Sequence, residues 1–140
     1  MPERYTDEMR AYENAMQKRL ETAWRCQMYR LAEYDHCDWR AERDGQTVAW
    51  VEYKKRSSSS TAFETVYLNK TKKYDYLMSL SYSHPALFVI EWADGVVKWI
   101  DIRQVDASAT VIAGDLRYGG SRGGDLEPMI LLPISEMNHL

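Results

Sequence analysis

The chain has 140 residues, 45% hydrophobic and 28% charged, the balance of a globular protein long enough to bury a core. No apolar run approaches the roughly 18 residues of a membrane-crossing helix, and the opening Met1-Pro2-Glu3-Arg4-Tyr5-Thr6 carries no apolar stretch of the secretory kind. A formal net charge of -3 argues against a protein that merely coats nucleic acid, which would be basic. The cations nevertheless gather, as Lys54-Lys55-Arg56 and as Lys70, Lys72 and Lys73. Cys26 and Cys37 are too few for a disulfide framework and lack zinc-ligand spacing. Free thiols imply a reducing compartment, so a cytoplasmic protein is expected.

Residues 6–23 read as a helix. Thr6 can cap it, Asp7 and Glu8 suit its first turn, and no Gly or Pro interrupts it. Met9, Tyr12, Met16, Leu20 and Ala23 make one apolar face, and Glu13 lies inside that face. Strands are expected over about 24–33, 37–42 and 47–55, the last two joined by a hairpin with Asp44-Gly45 at its tip. A second helical pattern covers 62–81, with Phe63, Val66, Tyr67, Tyr74, Leu77 and Ser81 on one face and Lys70 near its middle. Two more strands, Ala86–Trp92 and Val96–Ile102, flank the turn Asp94-Gly95. Residues 114–127 hold five of the seven glycines and read as a loop. Met129–Ile134 is a last strand, which Pro133 assigns to an edge or an extended arm. The expectation is one α/β domain over 1–140, with its core at about 6–102.

Chemistry concentrates on the strand Trp50-Val51-Glu52-Tyr53-Lys54. Alternation puts Trp50, Glu52 and Lys54 on one face, with Val51 and Tyr53 on the other. The hairpin register decides which aspartate joins Glu52. A two-residue Asp44-Gly45 turn sets Asp35 opposite Lys54 and leaves Asp38 on the wrong face. A three-residue loop Arg43-Asp44-Gly45, with Gly45 as a left-handed bulge residue, sets Asp38 opposite Trp50 and beside Glu52. Glycine after a polar pair favours the second, so Asp38 is preferred and Asp35 is the alternative. Two converging carboxylates suit a hard cation such as Mg²⁺, with Mn²⁺ as a substitute. Lys54 is placed to orient an attacking water or to stabilise charge on phosphorus. Glu13 could complete the site, because a carboxylate on a buried stripe is costly unless it is paired or metal-bound. A salt bridge across the core edge is the plainer account of it.

Asp38 and Glu52-Tyr53-Lys54, preceded by an acidic helix and followed by a second helix, resemble the PD-(D/E)XK nuclease superfamily. That resemblance implies a restriction-endonuclease-like core, a mixed sheet flanked by helices in the order αβββαβ, here with an added hairpin strand and a C-terminal extension. It implies a Mg²⁺-dependent nuclease acting on DNA, with Asp38 and Glu52 as metal ligands, Lys54 catalytic and Glu13 the first-helix acid. A basic residue of the second helix would face the site: Lys73 by pattern, Lys70 by helical facing. Arg56 completes a Glu-x-Lys-x-Arg string, and Cys37 stands where the motif carries its proline. The whole chain is also similar to small bacteriophage proteins, for which the host cytoplasm is the expected location. Many small nucleases of this kind cut two strands as homodimers. The rival reading is a non-catalytic member that keeps the fold and binds nucleic acid or protein. His36, beside the proposed site, and the stretch Gly119–Gly124 with Arg117 and Arg122 are more simply surface features.

Overall fold

The structure, a computed structural model, describes residues 6–32, 37–113 and 126–140. Asp35, His36, Arg117, Arg122 and the glycine-rich stretch 114–125 lie outside the described residues.

Helix α1 runs Asp7–Trp24, and its Thr6 side chain accepts from the Met9 N–H at 3.1 Å. Arg25, at φ 51°, closes the helix in the left-handed conformation, and the Arg43 guanidinium donates to the last carbonyls, those of Trp24 and Arg25. Because Trp24 belongs to the helix, the first strand, β1, is shorter than expected, at Gln27–Arg30. The hairpin follows as β2 (Trp39–Arg43) and β3 (Gln46–Lys55), then β4 (Thr65–Asn69), a π-helical turn (Lys70–Tyr74) and α2 (Asp75–Leu80). The chain continues as β5 (Ala86–Glu91), β6 (Val97–Asp101), β7 (Thr110–Ala113), β8 (Glu127–Pro133) and β9 (Asn138–His139).

Six strands form one sheet in the order β1-β2-β3-β5-β6-β9, in which β3 and β5 are parallel and the other pairs antiparallel. A second, antiparallel sheet has the order β4-β8-β7. Parallel pairing of β3 with β5 requires a long crossover, and residues 56–85 supply it.

Each face of the large sheet carries its own core. On one, Met16 and Leu20 of α1 pack against Met28, Trp39, Ala41, Val51, Tyr53 and Val89. On the other, Phe88, Ile90, Ile100 and Ile102 meet Leu77 of α2 and Val66, Leu68, Ile130 and Leu132 of the second sheet. Burying one such aliphatic side chain contributes roughly 1.5–3 kcal/mol. Of the apolar residues on the predicted α1 face only Met16 and Leu20 are buried; Met9, Tyr12 and Ala23 are exposed, and Lys55 Nζ lies 4.9 Å from the Tyr12 ring centroid. No helix among the described residues is long and apolar enough to cross a membrane.

Two expectations need correction. Residues 62–81 are not one helix. Thr65–Asn69 is a strand because Val66 and Leu68, two apart, both enter the core and pair with Leu132 and Ile130 of β8. Nor is the strand at Met129–Ile134 an edge: β8 is central, and Pro133 stands at its last position, opposite Thr65, where the missing N–H matters least.

Candidate metal centre and its basic surround

The hairpin decides the site, by a route that neither sequence register anticipated. Asp44 and Gly45 both have positive φ, 53° and 77°, which makes a two-residue turn of the primed type. Glu42 then pairs with Thr47, but Ala41 pairs with Ala49, so Val48 is an extra residue on β3. This one-residue bulge moves the register the other way, placing Arg40 opposite Trp50 and Trp39 opposite Val51. Asp38 is the first residue past the paired ladder. Its N–H still donates to Val51 O at 3.1 Å, its own carbonyl accepts from Leu31 N–H at 2.9 Å, and its Oδ2 accepts from Tyr53 N–H at 2.7 Å.

Asp38 thereby has a carboxyl group on either side of it, Glu13 and Glu52. Glu13 and Glu52 are the buried charged residues among those described, at 8% and 6% exposure. Glu13 comes from α1; it pairs with Arg30 Nη1 at 3.3 Å and is hydrogen-bonded with Asp38. Burial, then the charge of Asp38, pushes the Glu13 carboxyl up to about 7. Burial raises Asp38 as well, while the Tyr53 N–H, Lys73 and Glu13 hold it back. Glu52 is pushed up to about 8, first by burial and then by Asp38, against the opposing pull of Lys73 and Lys54. Its Oε1 accepts from Lys73 Nζ at 2.9 Å. Its Oε2 is buried and has no hydrogen-bond partner among the described residues.

Of the other sequence-predicted residues, Lys54 is exposed on the Glu52 side of β3, close enough for its charge to act on Glu52. Lys73, not Lys70, reaches the carboxylates, because bonding from Asp75 N–H back to Lys70 O widens the turn and rotates its residues. Lys70 instead pairs with Asp75 at 3.4 Å. Arg56 is turned toward the second sheet, where Nη2 donates to Tyr67 O at 3.1 Å. Sequence reasoning missed Arg30. Its only signal is alternation on β1, which turns Arg30 and Met28 alike toward α1.

The donor set fits a hard divalent cation in part. Among the described residues no three acidic, imidazole or thiol groups close around one point. Two carboxylates with an orphaned buried oxygen match an ion that binds one or two protein carboxylates and leaves its other positions to water and phosphate. Mutual repulsion of Asp38 and Glu52, and the desolvation of both, are the penalties that a cation would relieve.

No curated protein matches the chain. Among solved structures, Archaeoglobus fulgidus Hjc, a Holliday junction resolvase from an archaeal hyperthermophile, is similar at a TM-score of 0.54 and 14% identity, over 91% of this chain and 97% of that one. At that identity the likeness is one of fold, and it establishes the mixed α/β, restriction-endonuclease-like architecture that the order of elements suggested. The model of the family described as "Phage putative PDDEXK endonuclease" matches residues 2–140, and the chain belongs to that family.

Proposed function

We propose that the chain is a Mg²⁺-dependent deoxyribonuclease that hydrolyses phosphodiester bonds, with Asp38 and Glu52 as the metal ligands. The observation that carries this reading is the buried Glu52 Oε2 beside Asp38, which has no hydrogen-bond partner among the described residues. An uncompensated carboxylate oxygen in the interior is expensive, and a nuclease has a use for it. The ion's contribution when bound is charge neutralisation at the phosphate and a nucleophile at neutral pH.

The chain's own groups then have separate tasks. Asp38 is fixed by the Tyr53 N–H at Oδ2, which sets the direction of its carboxylate. Lys54, on the Glu52 side of β3 and exposed, meets the attacking water or the charge gathering on phosphorus. Glu13, whose carboxyl is raised by burial and by Asp38, supports Asp38 from the helix side. Lys73 neutralises Glu52 until the site is loaded and is then available to a phosphate oxygen. DNA is the proposed polymer on two grounds: family membership, and the fold shared with a Holliday junction resolvase. The host cytoplasm is the proposed setting.

Thermal melting with and without Mg²⁺ or Mn²⁺ tests the metal half. A rise in melting temperature that vanishes in Glu52→Ala is expected. Cleavage of single-stranded, duplex and branched DNA tests the rest. Lys54→Ala should lose activity by two orders of magnitude or more, roughly the worth of a charge-stabilising group. Equal behaviour of wild type and Lys54→Ala would sink the nuclease reading.

A further inference from the structure

One row of side chains on the large sheet takes no part in the proposed cleavage. Tyr29 of β1 pairs with Arg40 of β2, and Arg40 with Trp50 of β3, so the three lie side by side on one face. It is the face of Glu52, two residues along β3 from Trp50, and strand rise puts that distance at about 7 Å. Tyr29 is 44% exposed on the edge strand. The Arg40 guanidinium carbon lies 4.9 Å from the Tyr29 ring centroid. Trp50 is half-buried; its Nε1 donates to Ser83 Oγ at 3.0 Å, and the His84 ring stands edge-on at 6.2 Å.

The charge of Arg40 is already met. Its Nη1 is ion-paired with Glu42 on the same face and also donates to Thr47 Oγ1 at 3.3 Å. A guanidinium meant for phosphate would be left its charge; one neutralised and laid against a ring offers a plane. The row is therefore a set of π-surfaces continuous with the metal centre rather than a cationic patch.

We propose that the Tyr29–Arg40–Trp50 row is a stacking platform for an unpaired nucleobase of the DNA strand whose phosphate is held at Asp38 and Glu52. This rests on the nuclease reading above. Bases in a duplex bury their faces in their own stack, so only an unpaired nucleotide presents a face to a protein ring. The substrate class that follows is DNA with a single-stranded segment next to the cut, such as a flap, a branch or a splayed end.

Binding is read without metal, in EDTA, from the fluorescence of 2-aminopurine placed in a short single strand and in the matching duplex. Tyr29→Ala should weaken single-strand binding on the order of ten- to a hundredfold, the range for loss of one base–aromatic stack, and leave duplex binding within about twofold of wild type. Arg40→Lys keeps the charge and removes the plane, and should weaken the single strand likewise. Tyr29→Phe should bind as wild type. Far-UV circular dichroism reports folding, and Tyr29→Thr, a good strand residue, replaces the alanine variant if that one fails to fold. Equal losses on duplex and single strand, no loss on either, or wild-type binding by Arg40→Lys would overturn the platform. Cleavage in Mg²⁺ is scored separately. A chain that cuts nothing yet grips single strands through Tyr29 loses the nuclease and keeps the platform. A chain that cuts duplex DNA and is indifferent to Tyr29→Ala loses the platform alone.

Discussion

Glu52 has two oxygens in different circumstances, and the pH behaviour of the protein follows from that. One is paired with Lys73; the other is buried without a partner among the described residues. Burial and Asp38 together raise the group to about 8, and Glu13 to about 7. For an acid the sign is clear. A folded value above the ordinary 4.5 means that the folded state holds the proton more tightly than the unfolded chain. The stabilisation is complete below about pH 4.5 and is lost as pH climbs through the two folded values. Metal-free protein should therefore melt higher at pH 5 than at pH 8. Glu52→Gln should flatten the slope between these, and Mg²⁺ should restore stability mainly at the alkaline end. The lowered carboxyls of Asp94, Asp101 and Asp106 act below this window and cannot mask it. A melting temperature that rises from pH 5 to 8 without metal would refute the assignment.

At the level of elements, the bulge at Val48 sets where everything else points. It lets a two-residue turn coexist with the Trp39–Val51 pairing, and so leaves Asp38 at the ladder's end beside Tyr53. Deleting Val48 removes the extra residue and shifts Glu52 by one, toward the helix-side core. Folding or the metal-dependent rise in melting temperature should then be lost. Val48→Ala, which keeps the bulge, should cost about 1 kcal/mol and retain the metal response. A deletion that melts and binds metal like wild type would remove the bulge from the account.

The same strands show what the sequence could and could not disclose. Helix α1 was legible because Thr6 caps it locally and Met16 and Leu20 repeat at helical spacing. The turns at Gly45 and Gly95 were legible because positive φ leaves few alternatives to glycine. Strand β4 was not, since Phe63, Val66 and Tyr67 suit a helix as well as a strand, and its partner Met129–Pro133 is remote in sequence. The register that sets Asp38 beside Tyr53 is neither that of the two-residue turn alone nor that of the three-residue loop, because a bulge inside a strand has no residue signature comparable to a turn. Lys73 was set behind Lys70 for a related reason. A π-turn and an α-turn look alike in sequence and aim their residues differently.

In the whole molecule, consecutive strands at the C-terminal end belong to different sheets. β8 fills the middle of the small sheet, and β9, after a short turn, extends the large one beside β6. Ile130 and Leu132 of β8 share a core with Phe88, Ile90 and Ile100 of the large sheet. The two sheets should accordingly unfold as one unit. Leu132 is fully buried, so Leu132→Ala should cost about 2–5 kcal/mol. It should lower a single calorimetric transition whose van't Hoff and calorimetric enthalpies agree. Two resolved transitions, with only one of them moved, would show the sheets to be independent.

Cys37 extends this to motion. The thiol is buried at 3% exposure, donates to Val51 O at 3.1 Å, and is pushed up to about 12 by burial and by Glu52 and Asp38. A thiol in that state does not react in place, so a disulfide reagent can capture it only when the ladder's end comes apart. Cys26, partly exposed, should be labelled first and serve as the internal control. The slower second phase is then a clock on the opening of the segment that carries Asp38. It should slow when Mg²⁺ is added and quicken in Glu52→Ala, giving a chemical stopwatch for the proposed metal centre that needs no DNA and no turnover.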